Sequence, residues 1–279
     1  MLLRCSIVSM MAAAAMALSL ASAQAYDEQK YPDWAGQWRR PPGVNNQWEP
    51  TRRRGQEGAP LIAEYQAIFE ANLKDQDEGG QGTDPTYQCI PDGMPRAMNV
   101  IFPMEIIIQP NTTYIYIEYL TMFRRIFTDG RAFPENFDSS FMGYSIGRWV
   151  DTDGDGRYDE LHVETRLLKN PRAYDSSGIP FHADGQTIVK ERFYQDKDKP
   201  DVLHDEITTI DHALTRPWTV TKNYIRVRNP IWIEAICSEQ NDHIKIGDET
   251  YMRSGDGSLM PAKKGQKPPD LRYFKAPAK

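Results

Sequence analysis

The stretch MEIIIQPNTTYIYIEYLTMFRRIF, residues 104–127, decides the fold class. Ile106 and Ile108, Ile115 and Ile117, Tyr114 and Tyr116 recur at every second position, the period of a strand and not the 3.6 of a helix. The β-branched and aromatic content suits a pleated, half-buried surface. The rhythm continues through FMGYSIGRWV, ELHVETRLL, QTIVKERFYQ, VLHDEITTID, WTVTKNYIRV and IWIEAICSE. Turn residues separate these runs: PNT at 110–112, DG at 129–130, DGDG at 153–156 and DKDKPD at 196–201. None of the separators has the length and pattern of a crossover helix, so the strands must pair antiparallel with their neighbours.

About eight consecutive antiparallel strands leave two exposed edges unless the sheet closes. The expectation is therefore a mainly β chain, an up-and-down barrel over 86–250, with a β-sandwich as the alternative. Residues 26–85 read as a polar N-terminal extension. Within it Gly36-Gln37-Trp38 is similar to the Gly-x-Trp that opens lipocalin-like (calycin-like) barrels. One amphipathic helix is predicted over about 60–74, PLIAEYQAIFEANLK, with Leu61, Tyr65, Ile68, Phe69 and Leu73 on a single stripe. The Lys- and Pro-rich segment 251–279 reads as a loose C-terminal tail.

Residues 1–25 have the form of a secretory leader: Arg4, an apolar run from Ile7 to Ala23, and Ala23 and Ala25 at a cleavage site. This implies a periplasmic or secreted protein cleaved after Ala25, and no later run is apolar enough to span a bilayer. About 250 residues remain, enough to bury a core. A formal charge of -6 gives no attraction to nucleic acid or to an anionic membrane. Of the 3 cysteines, Cys89 and Cys237 lie beyond the leader, and an even pair in an exported chain predicts a disulfide. It would close a loop of about 150 residues, worth roughly 4–5 kcal/mol on the chain-entropy account.

DTDGDGRYD, residues 151–159, places Asp151, Asp153, Asp155 and Asp159 with the Arg157 carbonyl at the spacing calcium uses in oxygen-rich loops. The twelfth position, a Glu in the helix-flanked version, is His162, and the flanks are strand-like. The pattern instead resembles the D-x-D-G-D-G-x-x-D loops between strands of β-propeller blades. Ca2+ is thus expected as a structural brace of a hairpin, and no organic cofactor is implied. An ion-free acidic turn is the plainer alternative.

CIPDGMPR (89–96), FRRIFTDGRAFP (123–134), GYSIGRW (143–149), GIPFH (178–182), VKERF (189–193), TRPW (215–218) and EAICSEQN (234–241) together resemble a family of exported bacterial β-rich proteins. That resemblance implies export and a β-rich fold, and it carries no activity. The calcium-like loop after Trp149 departs from the family's shorter turn. A closed barrel of this size can hold one small ligand. Binding of a small apolar or aromatic molecule, with Tyr114, Tyr116 and Arg148 as contacts, is the leading expectation. Alternation alone leaves open which strand face is interior. The first alternative is a cofactor-independent acid/base enzyme (lyase, isomerase or hydrolase), with His182 as acid or base, Glu191 or Glu118 sharing its proton and Arg125 holding an oxyanion. The second is a structural cell-envelope protein with a filled barrel. N-terminal sequencing of protein isolated from its native compartment is expected to begin at Tyr26; a retained leader contradicts the export reading.

Overall fold

The computed structural model describes residues 27–99, 102–237, 242–247 and 249–269. The expected leader, 1–25, lies outside the described residues. The chain is a closed barrel of nine strands, β1 (Gly36–Arg39), β2 (Met104–Gln109), β3 (Thr112–Ile117), β4 (Met122–Phe127), β5 (Tyr144–Val150), β6 (Glu160–Arg166), β7 (Ile188–Gln195), β8 (Val202–Ile210) and β9 (Trp218–Arg226). Their order around the ring is their order in sequence.

Nine is an odd number, and an odd ring cannot alternate direction all the way round. One neighbouring pair must run parallel. That pair is β4–β5, joined by only two register pairs, Ile126↔Ser145 and Phe127↔Ile146. All other neighbours are antiparallel. The up-and-down barrel expected from the sequence is present, with this seam as its parallel pair. Gly147 makes the seam possible: a Cβ there would sit 2.6 Å from the Ile126 Cγ2. The connection 128–143 leaves the end of β4 and returns so that β5 begins beside it in the same direction, Ser145 opposite Ile126.

The ninth strand comes from the presumed extension. β1 inserts between β9 and β2, with Trp38 opposite Arg226 and Met104. Trp38 is fully buried, its indole nitrogen donates to the Trp34 carbonyl at 2.8 Å, and the Arg226 guanidinium lies 4.4 Å above its ring. A four-residue strand in polar surroundings carries too little periodicity to be read, so the barrel begins at residue 36 and not at 86.

The helix α1 (Ala63–Asp77) starts and ends about three residues later than predicted. Pro60 to Ile62 are held as extended chain against the β8–β9 turn: Ile62 N donates to Ala213 O at 2.9 Å and Thr215 N to Pro60 O at 2.7 Å. Tyr65 and Phe69 are buried as the stripe required, but Ile68 is exposed, and Asn72 takes a buried place by donating to the Ser177 carbonyl. The C-terminal segment is not a loose tail throughout. β10 (His243–Ile246), β11 (Glu249–Arg253) and β12 (Leu259–Pro261) form a small antiparallel sheet. Among the described residues of the predicted strand IWIEAICSE, only Ala235 pairs, in a bridge to Tyr119.

Strand direction gives the barrel two different ends. The tight β2–β3, β5–β6 and β7–β8 hairpins share one end. The segments 40–103 (which carries α1), 118–121, 167–187 and 211–217 plug the other. Cys89 and Cys237 form the expected disulfide, Cα atoms 5.5 Å apart, and tie the plug to the segment after β9. No helix among the described residues is long and apolar enough to cross a membrane. Replacing both cysteines by Ala is expected to lower stability by roughly 4–5 kcal/mol in urea titration; an unchanged midpoint contradicts the staple.

Candidate functional site

The inward face is set by β3: Thr113, Ile115 and Ile117 are buried, which turns Tyr114 and Tyr116 outward. Tyr114 stacks on Phe123, centroids 5.3 Å apart, and Tyr116 meets Trp232 at 5.2 Å. Arg148 is exposed on the outer wall opposite His162. Arg125 is also outside, 5.2 Å above the Phe123 ring, and its neighbour Arg124 is the residue inside. The expected ligand contacts therefore do not line a lumen.

The barrel interior is lined by buried apolar side chains. Met104, Ile106, Ile115, Ile117, Ile126, Leu161, Val163, Val189, Phe193, Leu203, Ile207 and Val220 are all buried. Among them sits a polar belt. Arg124 makes a bidentate ion pair with Glu191 (Nη1 to Oε1 2.8 Å, Nη2 to Oε2) and donates to Ser145 Oγ at 3.3 Å and Thr165 Oγ1 at 3.0 Å. Asp205 faces Lys222 in register across β8–β9. Lys222 turns away to the Trp48 carbonyl and to Asn99 Oδ1 at 2.8 Å, its Nζ 4.3 Å from the Trp48 ring centroid. Burial pushes Asp205 well up and Lys222 well down, so each is biased toward its neutral form.

The four residues chosen for acid/base chemistry are not brought together. Glu191 is bound to Arg124 inside the barrel. Glu118 lies buried beyond the end of β3, its carboxyl raised by burial. Arg125 is on the outer wall. His182 is half-buried in the plug, its ring 5.3 Å from Tyr65 of α1. Its partners are Asp184, with Nδ1 3.0 Å from Oδ2, and His212, whose Nδ1 reaches the same oxygen at 2.6 Å. His212 is thirty residues away in sequence, with no local spacing to signal the meeting.

The plugged end holds a cavity of about 170 Å³ lined by Asn46, Asp92, Arg96, Asn99, Phe102, Tyr119, Asp175 and Ser176. None of these was expected from sequence. Asp92 and Arg96 come from CIPDGMPR, where one Asp in a loop carries no pattern. Arg96 forks onto Asp84, Nη1 to Oδ1 2.7 Å and Nη2 to Oδ2 3.0 Å. Its Nε lies 2.9 Å from Asp92 Oδ1, close but without hydrogen-bond alignment. Burial raises the Asp92 carboxyl to about 6, Arg96 opposing and Asp84 adding to the rise. Burial opposes the Arg96 charge, but Asp92 and Asp84 outweigh it.

The rest of the lining is fixed. Asp175 accepts from Trp48 N at 2.5 Å and Ser177 N at 2.8 Å. Asn99 Oδ1 accepts from both Arg40 Nη1 and Lys222 Nζ at 2.8 Å, which anchors the cavity to the charged core. Phe102 and Tyr119 stack with centroids 5.0 Å apart and planes 26° apart. Burial, then the Asp92 carboxylate, raises the Tyr119 phenol. The cavity thus combines an aromatic wall with a carboxyl that changes charge near pH 6.

At the hairpin end, Asp151, Asp153 and Asp155 bring one carboxylate oxygen each within 4.8 Å of the others. Asp151 accepts from Gly154 N at 2.7 Å and Gly156 N at 2.9 Å. Asp159 is turned away to Thr152, accepting from its amide at 3.0 Å and from its hydroxyl. No known family model and no curated protein matches the chain.

The Asp92 carboxyl is raised above its unfolded value of 3.8. The folded state therefore holds its proton more tightly. The associated stability is full below about pH 4 and is lost as pH rises through about 6. Relative to wild type, Asp92→Asn is expected to gain roughly 2–3 kcal/mol between pH 4 and 7. Urea titrations across that range check it, and a pH-independent difference contradicts it.

Proposed function

We propose that the chain is an exported barrel protein that binds one small aromatic molecule in the cavity at the plugged end. The observation that carries this reading is the meeting of Asp92 and the stacked Phe102–Tyr119 pair on a single half-open cavity. A volume of about 170 Å³ suits a single substituted ring, since a dry cavity of about 150 Å³ accepts benzene. The ring would lie against Phe102 and Tyr119, and Asp92 would bond its polar substituent. Two further carboxylates, Asp84 and Asp175, lie beside one guanidinium, which disfavours an anionic substituent. A phenol or an aryl amine fits better than a benzoate. Export is supported by the leader-like N-terminus and by the disulfide, a bond of oxidising compartments.

The expected contacts Tyr114, Tyr116 and Arg148 face outward and not into the barrel, so the proposed site moves to the rim. The cavity at the rim is what favours binding. Native mass spectrometry of protein from its own periplasm, followed by saturation-transfer NMR with phenol, aniline and benzoate, tests the proposal. Phenol or aniline should bind saturably, and Asp92→Asn or Phe102→Ala should weaken binding by about tenfold, about 1.4 kcal/mol. No saturable binding, or binding indifferent to both substitutions, contradicts it.

Calcium at the 151–159 turn is a separate, structural proposal. An ion there would relieve repulsion among three carboxylates and brace the β5–β6 hairpin. Calcium should raise the melting temperature and a chelator should reverse the rise; a temperature indifferent to both contradicts the brace.

A further inference from the structure

We propose that His182, Asp184 and His212 form a binding site for a divalent transition metal, separate from the aromatic cavity and from the acidic turn. A ring nitrogen of each histidine and a carboxylate oxygen of Asp184 lie within 4.8 Å of one another. Zinc held at 2.0–2.2 Å by such atoms separates them by about 3.4 Å. The two contacts to Asp184 Oδ2, 3.0 and 2.6 Å, are about 0.4 and 0.8 Å shorter than this zinc geometry, so the exposed Asp184 and His212 side chains must rotate outward to admit an ion.

The surroundings are built to hold these groups. Asp184 Oδ1 is occupied by Gln186 N at 2.9 Å, which leaves Oδ2 facing the histidines. Asp211 accepts from His182 N and from Ala213 N, both at 2.9 Å, so one buried carboxylate locks the two distant segments that carry the imidazoles. Thr187 fixes Asp211 in turn, donating to Oδ2 at 2.6 Å. Partners of this kind orient metal-binding imidazoles.

The His182 Nδ1 accepts from the Asp184 amide at 3.2 Å, so it carries a lone pair, and it lies 3.0 Å from Asp184 Oδ2. A cation between nitrogen and oxygen would take that lone pair in place of the amide hydrogen. His162 and His204 differ: each meets a carboxylate, Glu160 and Asp196, with no second histidine in the contact. Two imidazoles and one carboxylate suit zinc, copper or nickel rather than calcium or magnesium. Three protein ligands leave at least one coordination position for water or a small ligand.

The test uses tag-free mature protein stripped with EDTA, with Zn2+ followed by calorimetry and Cu2+ by electron paramagnetic resonance. One equivalent of each should bind, and the copper spectrum should show coupling to two nitrogens. His212→Ala, at an exposed position that spares the fold, should leave one nitrogen and weaken zinc by at least about tenfold, the scale on which even outer partners act. Asp184→Asn should weaken it similarly while thermal melts report an intact fold. No saturation at one equivalent, or wild-type affinity and spectrum in both variants, overturns the proposal. So does zinc binding that is lost on Asp151→Asn/Asp153→Asn instead, which assigns the ion to the acidic turn.

Discussion

Inside the barrel, Arg124 and Glu191 meet where water cannot screen them. Arg124 stands on β4, the strand with the weakest backbone attachment to its successor. Its guanidinium bonds Ser145 on β5, Thr165 on β6 and Glu191 on β7. One side chain therefore reaches across the parallel seam that an odd-numbered ring requires. Two register pairs hold that seam, as few as at β1–β9 and fewer than in the longer ladders, and an unpaired charge at this depth would be strongly destabilising. Closure of the ring and burial of the pair depend on each other: the pair is dry because the ring is closed, and the seam holds because the pair crosses it.

The same constraint moves functional chemistry to the ends. The barrel interior carries a charged belt among buried Ile, Val and Phe, and the recognition groups gather on the long segments that plug one end. Asn99 connects the two regions, accepting from Lys222 of the core while lining the cavity. The disulfide holds the segment that carries Asp92 and Arg96, and Asp211 holds the one that carries His182. Both are rigid supports for groups otherwise carried on loops, as precise recognition requires.

How much of this was legible follows from the reach of each signal. Period-two alternation spans whole strands, so the barrel wall from Met104 onward is readable, and the even cysteine pair beyond the leader gives the disulfide. Alternation says nothing about phase. In MFRRIF, Met122 and Ile126 share a face with Arg124, while Phe123 and Phe127 share one with Arg125, so apolar neighbours support either arginine as the buried one. The helix shows its stripe but not its start, because the extended course of residues 60–62 is imposed by a turn some 150 residues later. Asp92, Arg96 and His212 acquire their partners only through the fold, and no local spacing records them.

A double-mutant cycle on Arg124 and Glu191, read by urea unfolding, tests the central claim most directly. Arg124→Met alone should cost about 3–5 kcal/mol by stranding a buried carboxylate, and adding Glu191→Leu should recover most of that loss. A single substitution costing under about 1 kcal/mol, with additive effects in the pair, would mean that the charges are solvated and the ring is not closed around them.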